Sequence, residues 1–180
     1  MRVISGSVRG RMLKALEGSE TRPTTDKVKE SIFNIIQFDI EGRRVLDLFS
    51  GSGQLAIEAV SRGAEYAVAV DKSKYAVEII KENVKRCNFE DKIKIYKGDF
   101  TEVLSKGGKF DLIFLDPPYD SDLLLKSLNL IVSFDILSND GIIICETDVS
   151  QSILEYSDLF NRKEYRYGRV KLTLMRNNKI

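Results

Sequence analysis

From Arg43 onward the hydrophobic pattern switches repeatedly between a strand period and a helix period. Arg44–Phe49, Tyr66–Val70, Lys92–Tyr96 and Phe110–Leu115 are short apolar runs that read as strands. Between them lie helical stretches: Gly53–Arg62, a helix capped by Ser73 and running to about Asn88 with Val77, Ile80, Val84 and Cys87 inward, and a short one near Glu102–Ser105. Another starts at Asp120 or Ser121 with Leu124, Leu128 and Ile131 on one face. Alternation of this kind implies a largely parallel sheet covered on both faces by helices. Ile136–Leu137 and Gly141–Glu146 lead to a further strand, and Ser150–Tyr156 to a short helix. Phe160–Tyr167 and Arg169–Met175 form a hairpin turning at Gly168, which puts one antiparallel strand in the sheet. Upstream, Met1–Leu16 reads as a hairpin around Gly6 and Gly10. Thr24 or Thr25 then caps a helix to about Gln37, with Asp26 in its first turn and Val28, Ile32, Ile35 and Ile36 as its apolar stripe. A chain of 180 residues holds one such domain. Residues 1–21 are expected to be a short β extension and residues 22–180 the main domain.

Open sheets of this type bind ligands at the carboxyl ends of their strands, so the strand ends carry the functional reading. The first is Asp47-Leu48-Phe49-Ser50-Gly51-Ser52-Gly53-Gln54-Leu55-Ala56, a glycine loop between a strand and a helix, with Ala56 at the third glycine position. Its glycines admit a ligand close to the backbone, and the helix N-terminus favours an anionic group. The second is Asp71, about 20 residues beyond Gly51, where an acid can hold the ribose diol of a nucleoside. The third is Gly98-Asp99-Phe100, where a carboxylate suits an adenine amino group. Asp71 and Asp99 are equally suited to capping the helices that follow them. The fourth is Asp116-Pro117-Pro118-Tyr119, which uses two of the chain's three prolines. Two successive missing N–H groups end the strand stiffly. The Asp116 carboxylate and the Pro117 carbonyl suit the two N–H bonds of an exocyclic amine, with Tyr119 stacking on the ring of a base.

Composition narrows the chemistry. There is no histidine, which removes Ser-His and Cys-His catalysis and any His-bound metal. Cys87 and Cys145 lie in apolar patterns and suggest neither a disulfide framework nor a metal site. With no signal peptide and no membrane-length apolar run, the cytoplasm is the expected location. The net charge is only +1, but its distribution is uneven. Residues 1–16 hold Arg2, Arg9, Arg11 and Lys14 with no acid; residues 161–180 hold Arg162, Lys163, Arg166, Arg169, Lys171, Arg176 and Lys179 against Glu164 alone. Either cluster suits RNA phosphates or a solvated surface.

A nicotinamide dinucleotide and S-adenosylmethionine both suit the glycine loop. Asp47, four residues before Gly51, favours the second: it suits the cationic amino group of a methionine moiety and repels a diphosphate. A dehydrogenase also has no use for the fourth strand end.

With these residues in place, the chain resembles the S-adenosylmethionine-dependent methyltransferases, and more closely the RsmD family, which methylates the N2 of a guanine in bacterial 16S rRNA. The resemblance rests on Arg2-Val3-Ile4-Ser5-Gly6 with Gly10-Arg11, on Thr21–Glu30 followed by Phe33-Asn34, on Asp47–Glu58 with Ser61-Arg62-Gly63-Ala64, on Asp116–Tyr119, and on Tyr167-Gly168. It departs from the family at Ser50 and Gln54, where alanine is frequent, at Ala56, where glycine is, and at Asp71, where Glu is. The resemblance implies a Rossmann-like class I methyltransferase fold. It implies S-adenosyl-L-methionine as cofactor, held by Thr24, Asp47, Phe49, Gly51, Gly53, Asp71, Lys72, Asp99 and Phe100, with the segment Arg22–Asp26 over that site. Catalysis falls to Asp116, Pro117 and Tyr119, and RNA contact to Arg2, Arg9, Arg11, Lys14 and Arg22, with no metal. The expected partner is 16S rRNA, naked or in an assembled small subunit, bound by a monomer.

Two other readings stand beside this one. Adenine-N6 methylation of RNA or DNA would use the same acceptor pair. A non-catalytic rRNA-binding factor would keep the scaffold, although intact motifs at all four strand ends weigh against it. Cytosine-C5 methylation needs a nucleophilic cysteine in a suitable loop, which neither Cys87 nor Cys145 provides.

Overall fold

The structure is a computed structural model, and it describes residues 1–16, 26–118, 122–151 and 158–177. The chain runs α1 (Asp26–Ile35), β1 (Arg44–Asp47), α2 (Gln54–Ser61), β2 (Tyr66–Asp71), α3 (Lys74–Arg86), β3 (Ile93–Lys97), α4 (Phe100–Ser105), β4 (Phe110–Leu115), α5 (Leu123–Ser133), β5 (Leu137–Asp148), β6 (Phe160–Tyr167) and β7 (Val170–Asn177). The seven strands form one sheet in the order β3-β2-β1-β4-β5-β7-β6. β1 to β5 are parallel to their neighbours; β7 runs antiparallel between β5 and β6. The hairpin turns through Gly168 as expected. The Rossmann-like reading of the sequence therefore holds, with its single antiparallel strand.

Each face of the sheet has its own core. On one face Val28, Ile32 and Phe33 of α1, with Ile36 just past its end, pack with α2, Ile80 and Val84 of α3, and Leu112, Phe114, Ile142 and Ile144 of the sheet. On the other, Phe100 and Leu104 of α4 and Leu124, Leu128 and Ile131 of α5 meet Leu46, Val70, Ile113 and Ile143. Alternate strand residues thus face opposite layers, as a two-residue period dictates. Ser73 caps α3, accepting from the Ala76 amide at 3.3 Å. The expected caps of α1 (Thr24, Thr25) and α5 (Asp120, Ser121), and the helix at Ser150–Tyr156, fall wholly or mainly outside the described residues.

One element differs from expectation. The segments Ile136–Leu137 and Gly141–Glu146 belong to one strand, β5, because the ladder with β4 steps from Phe110–Leu137 directly to Leu112–Ile142 and leaves the intervening polar residues in an irregular register. The N-terminal hairpin is held by one bridge, Arg2 to Met12, with the Val3 amide donating to the Arg11 carbonyl and the Gly10 amide to the Val3 carbonyl.

That hairpin lies on α2. The Ile4 and Ser5 amides donate to the two carboxylate oxygens of Glu58 at 2.8 and 2.9 Å, and Glu58 is fully buried. Ser61 Oγ donates to the Ser5 carbonyl at 2.6 Å, and the Ser7 amide donates to the Ser61 carbonyl at 2.7 Å. The backbones approach so closely that a Cβ on Gly6 would collide with Ser61, and Gly6 also has a φ of +87°. The buried Lys29 ammonium completes the junction, donating to the Arg2 carbonyl at 2.6 Å and standing 3.8 Å from Glu58. Burial lowers the Lys29 pKa, while Glu58 opposes that shift.

Candidate active site

β3, β2, β1 and β4 are consecutive neighbours, so the four strand ends singled out in the sequence lie side by side along one edge. Strand order reverses between β1 and β4, which places the ligand crevice beside the β1 end. Asp47 is in register with Ala69 of β2 and Phe114 of β4, and the β1 end is closed by amide bonds to both sides: Leu48 to the Phe114 carbonyl and Ser50 to the Val70 carbonyl. Gly53 follows at φ +81°, where a Cβ would stand 3.1 Å from Ile80. It opens α2 with no side-chain cap, so the helix N-terminus faces the end of β1 without a capping side chain of its own.

Asp47 is 1 % exposed. Its Oδ2 accepts from the Ser50 hydroxyl at 2.7 Å, while Oδ1 is buried with no hydrogen-bond partner among the described residues. Burial pushes its pKa up to about 7; the Asp71 charge pushes the same way, and Ser50 with the nearby Ala56 and Phe49 amides offsets only part. A buried acceptor without a donor is costly. A cationic amine entering the loop supplies both the donor and the charge, so the site fits the methionine end of S-adenosylmethionine and does not fit a diphosphate.

Asp71 is half-buried and fully engaged by backbone: Oδ2 accepts from the Gly51 amide at 3.0 Å and Oδ1 from the Ser73 amide at 2.8 Å. It ties the glycine loop to the end of β2, with further lone pairs for a ribose diol. Asp99 is exposed and caps α4, accepting from the Thr101 amide at 2.9 Å; bonds from Thr101 hold its carboxyl below the usual range. Phe49 and Phe100 form a tilted pair with centroids 5.3 Å apart between the β1 and β3 ends. Lys72 is exposed beside Asp71. At the end of β4, Asp116 is half-buried, Pro117 buried and Pro118 exposed. Thr24, Arg22 and Tyr119 lie outside the described residues.

The basic residues separate into two groups. Arg9 and Arg11 are exposed on the hairpin turn, and the segment Ser7–Met12 forms a concave surface with Arg86 at the end of α3, a residue that sequence reading missed. Arg2 is exposed on the same hairpin; Lys14 and Arg86 share Glu82, at 3.0 and 2.6 Å. At the other end of the chain, Arg176 grips Asp39 with both terminal nitrogens, at 3.1 and 2.7 Å, and the buried Lys171 faces Glu164 and the Gln151 carbonyl. Among the described residues, no helix is long and apolar enough to cross a membrane.

Fold and site together define a class I S-adenosylmethionine-dependent methyltransferase. The family model described as conserved hypothetical protein 95 matches residues 1–176. The chain is 45% identical over 173 residues to "Putative rRNA methyltransferase YlbH" of Bacillus subtilis (strain 168), covering 93% of this chain and 94% of that protein. It is 32% identical to "Ribosomal RNA small subunit methyltransferase D" of Haemophilus influenzae, covering 98% and 94%. The solved structure "Putative methyltransferase yhhF from Escherichia coli" superposes with a TM-score of 0.90 at 27% identity, over 100% of this chain and 99% of that one. The chain belongs to this family, the RsmD family of rRNA methyltransferases.

Proposed function

We propose that this methyltransferase modifies the exocyclic N2 of a guanine in 16S rRNA, with the end of β4 as the base-binding side of the site. The observation that carries the reading is the adjacency of Asp116-Pro117, just past β4, to the half-satisfied Asp47 on β1, across the point where the strand order reverses. The relatives' names support the rRNA substrate.

S-adenosylmethionine, when bound, supplies an electrophilic methyl group on sulfonium. Asp47 neutralises the amino group of that cofactor, and Asp71 and Asp99 hold its nucleoside part. Phe49, Phe100, Lys72 and Thr24 complete the proposed pocket. The guanine amine is a poor nucleophile because its lone pair is delocalised into the ring. The Asp116 carboxylate and Pro117 carbonyl accept its two N–H bonds and turn the lone pair outward. As positive charge builds on nitrogen, Asp116 stabilises it, and the surplus N–H proton of the methylated amine passes by way of that carboxylate to solvent. Tyr119 is assigned to stacking on the extruded base. Arg2, Arg9, Arg11, Lys14 and Arg22, now joined by Arg86, are assigned to RNA phosphates. The protein acts as a monomer in the cytoplasm, on rRNA that is naked or within an assembled subunit. Burial raises the thiol pKa of Cys87 and Cys145, which disfavours a thiolate route to a ring carbon.

The test is single-turnover transfer to 16S rRNA with saturating cofactor, with the product nucleoside identified by mass spectrometry. Asp116→Ala should lose on the order of 100- to 1,000-fold in rate. It should bind S-adenosylmethionine with wild-type affinity, and Asp116→Asn should fall between it and wild type. Transfer within about threefold of wild type, below the cost expected of such a contact, sinks the assignment. N6-methyladenine in place of N2-methylguanine would establish the alternative substrate.

A further inference from the structure

Asn83 sits on the sheet-facing side of α3, is fully buried and uses three hydrogen bonds on two distant segments. Its Oδ1 accepts from the Lys14 amide at 2.8 Å, and its Nδ2 donates to the Lys14 carbonyl at 2.9 Å, so the side-chain amide pairs with residue 14 as a neighbouring strand would. The second hydrogen of the same Nδ2 goes to the Ser52 carbonyl, also at 2.9 Å. Ser52 lies between the two glycines of the cofactor loop. One side chain therefore joins the end of the N-terminal arm to the centre of that loop.

Two further contacts close the same junction. Leu16 Cδ1 stands 3.6 Å from the position a Cβ on Gly51 would take, and Ser52 Oγ lies 3.6 Å from the Met1 sulfur. Met1 and Leu16 thus stand directly against the loop, and Lys14 reaches it through Asn83. Farther along, Glu58 and Ser61 fix the same arm to α2, the helix that the loop opens.

We infer that Asn83 is a positioning residue for the cofactor loop, holding Ser52 against Lys14, and that the N-terminal arm is part of the cofactor-binding machinery as well as the proposed RNA surface. The loop holds two glycines and lies against a buried carboxylate, Asp47, one oxygen of which lacks a donor. Asp71 ties the Gly51 side of the loop to β2, and a second fixture on the Ser52 side keeps the loop and Asp47 at one ligand geometry, since a small misplacement is enough to lose a preorganised contact. Asn83 and the arm supply that fixture.

The inference rests on loop 50–53 being the cofactor loop, and the experiment separates the two. S-adenosylmethionine and S-adenosylhomocysteine binding is measured by calorimetry on Asn83→Ala, Asn83→Asp, Leu16→Ala and Asp47→Asn, with thermal unfolding on each. Asn83→Asp keeps the acceptor for the Lys14 amide and loses both donors. Leu16→Ala leaves every polar bond in place. Asn83→Ala and Asn83→Asp should each bind cofactor about tenfold more weakly at temperatures where they are fully folded, and Leu16→Ala about threefold. With cofactor saturating, kcat should stay within about threefold of wild type, so that the loss appears in KM. Hydrogen exchange of the Gly51–Gln54 amides should quicken in the Asn83 variants.

A purely structural Asn83 would lower the unfolding temperature and leave the affinity of the folded protein within about twofold of wild type, which overturns the inference. If Asn83→Ala does not fold, Asn83→Asp and Leu16→Ala decide by the same criterion. If neither of those changes affinity while Asp47→Asn does, only the inference about Asn83 fails. If Asp47→Asn also binds normally, the cofactor assignment of the loop fails.

Discussion

Asp47 and Asp99 hold the same topological place, each following or ending a parallel strand at the ligand edge, yet the sheet gives them opposite chemistry. β1 lies between β2 and β4, so Asp47 is enclosed from both sides, unpaired at Oδ1, and raised to about 7. β3 is the edge of the sheet, so Asp99 stays exposed, caps α4, and is held low by Thr101. Asp71, on the strand between, is intermediate: half-buried, with both oxygens taken by backbone amides. The gradient from wet edge to dry centre predicts how much binding free energy each acid contributes. A charge contact counts for more where water is excluded.

The largest effect is expected at the dry end. Asp47→Asn keeps the shape and removes the charge, and should weaken S-adenosylmethionine binding roughly 10- to 100-fold, the worth of a buried hydrogen bond to a charged group. Calorimetry across the pH range should show wild-type affinity rising as pH climbs toward about 7, because the free carboxyl must lose its proton to receive a cation. The variant should lack that rise. The unliganded protein gives the opposite sign. Asp47 keeps its proton in the folded state to about 7, whereas the unfolded chain releases it above about 4. This group's contribution to stability therefore falls as pH rises through that window and is level on either side. Urea unfolding should show Asp47→Asn gaining on wild type across the window. A constant gap between the two proteins would break the contrast with Asp99.

The positions of these acids were legible in the sequence; their environments were not. Apolar runs set β1 to β4 to within a residue or two, which was enough to put Asp47, Asp71, Asp99 and Asp116 on one edge. Whether a strand end is dry depends on its neighbours in the sheet, and β1 gains β4 only after more than sixty residues of intervening chain. The arm junction shows the same limit. Lys29 shares the buried stripe of Ile32, Phe33 and Ile36, and Asn83 that of Ile79, Ile80 and Val84, so a polar residue at core spacing was the available signal. Their partners are 27 and 69 residues away in sequence, where no local pattern reaches. The C-terminal basic cluster, which the sequence left open between RNA phosphates and a solvated surface, shows the same limit: Asp39, 137 residues distant, pairs with Arg176, and Lys171 is buried against Glu164.

Asp71 sharpens the comparison from the middle. Asp71→Ala removes the proposed acceptor for the ribose and also releases the Gly51 and Ser73 amides, so it should weaken cofactor binding about tenfold. Asp71→Asn, which keeps one oxygen, should recover part of the loss. Calorimetry settles both. An effect as large as that of Asp47→Asn would mean that burial is not what grades these strand ends.

Asp99 gives the smallest expected effect and the most exposed test. Its carboxylate holds the Thr101 amide, and removing a cap of this kind typically costs about 1 kcal/mol. Asp99→Ala should show that loss in urea unfolding. Asn is as good a cap as Asp, so Asp99→Asn should restore wild-type stability. Cofactor affinity is a separate matter. Any bond from an exposed carboxylate to the adenine amino group replaces a bond to water, so its net worth is small, and both variants should bind S-adenosylmethionine within about threefold of wild type. The low pKa adds a further expectation: the carboxylate stays ionised throughout the pH range in which Asp47 titrates, so Asp99→Asn should leave the pH dependence of binding unchanged. If Asp99→Asn instead binds tenfold more weakly with stability intact, the edge strand contributes to recognition as strongly as the central one, and exposure does not rank the acids of this site.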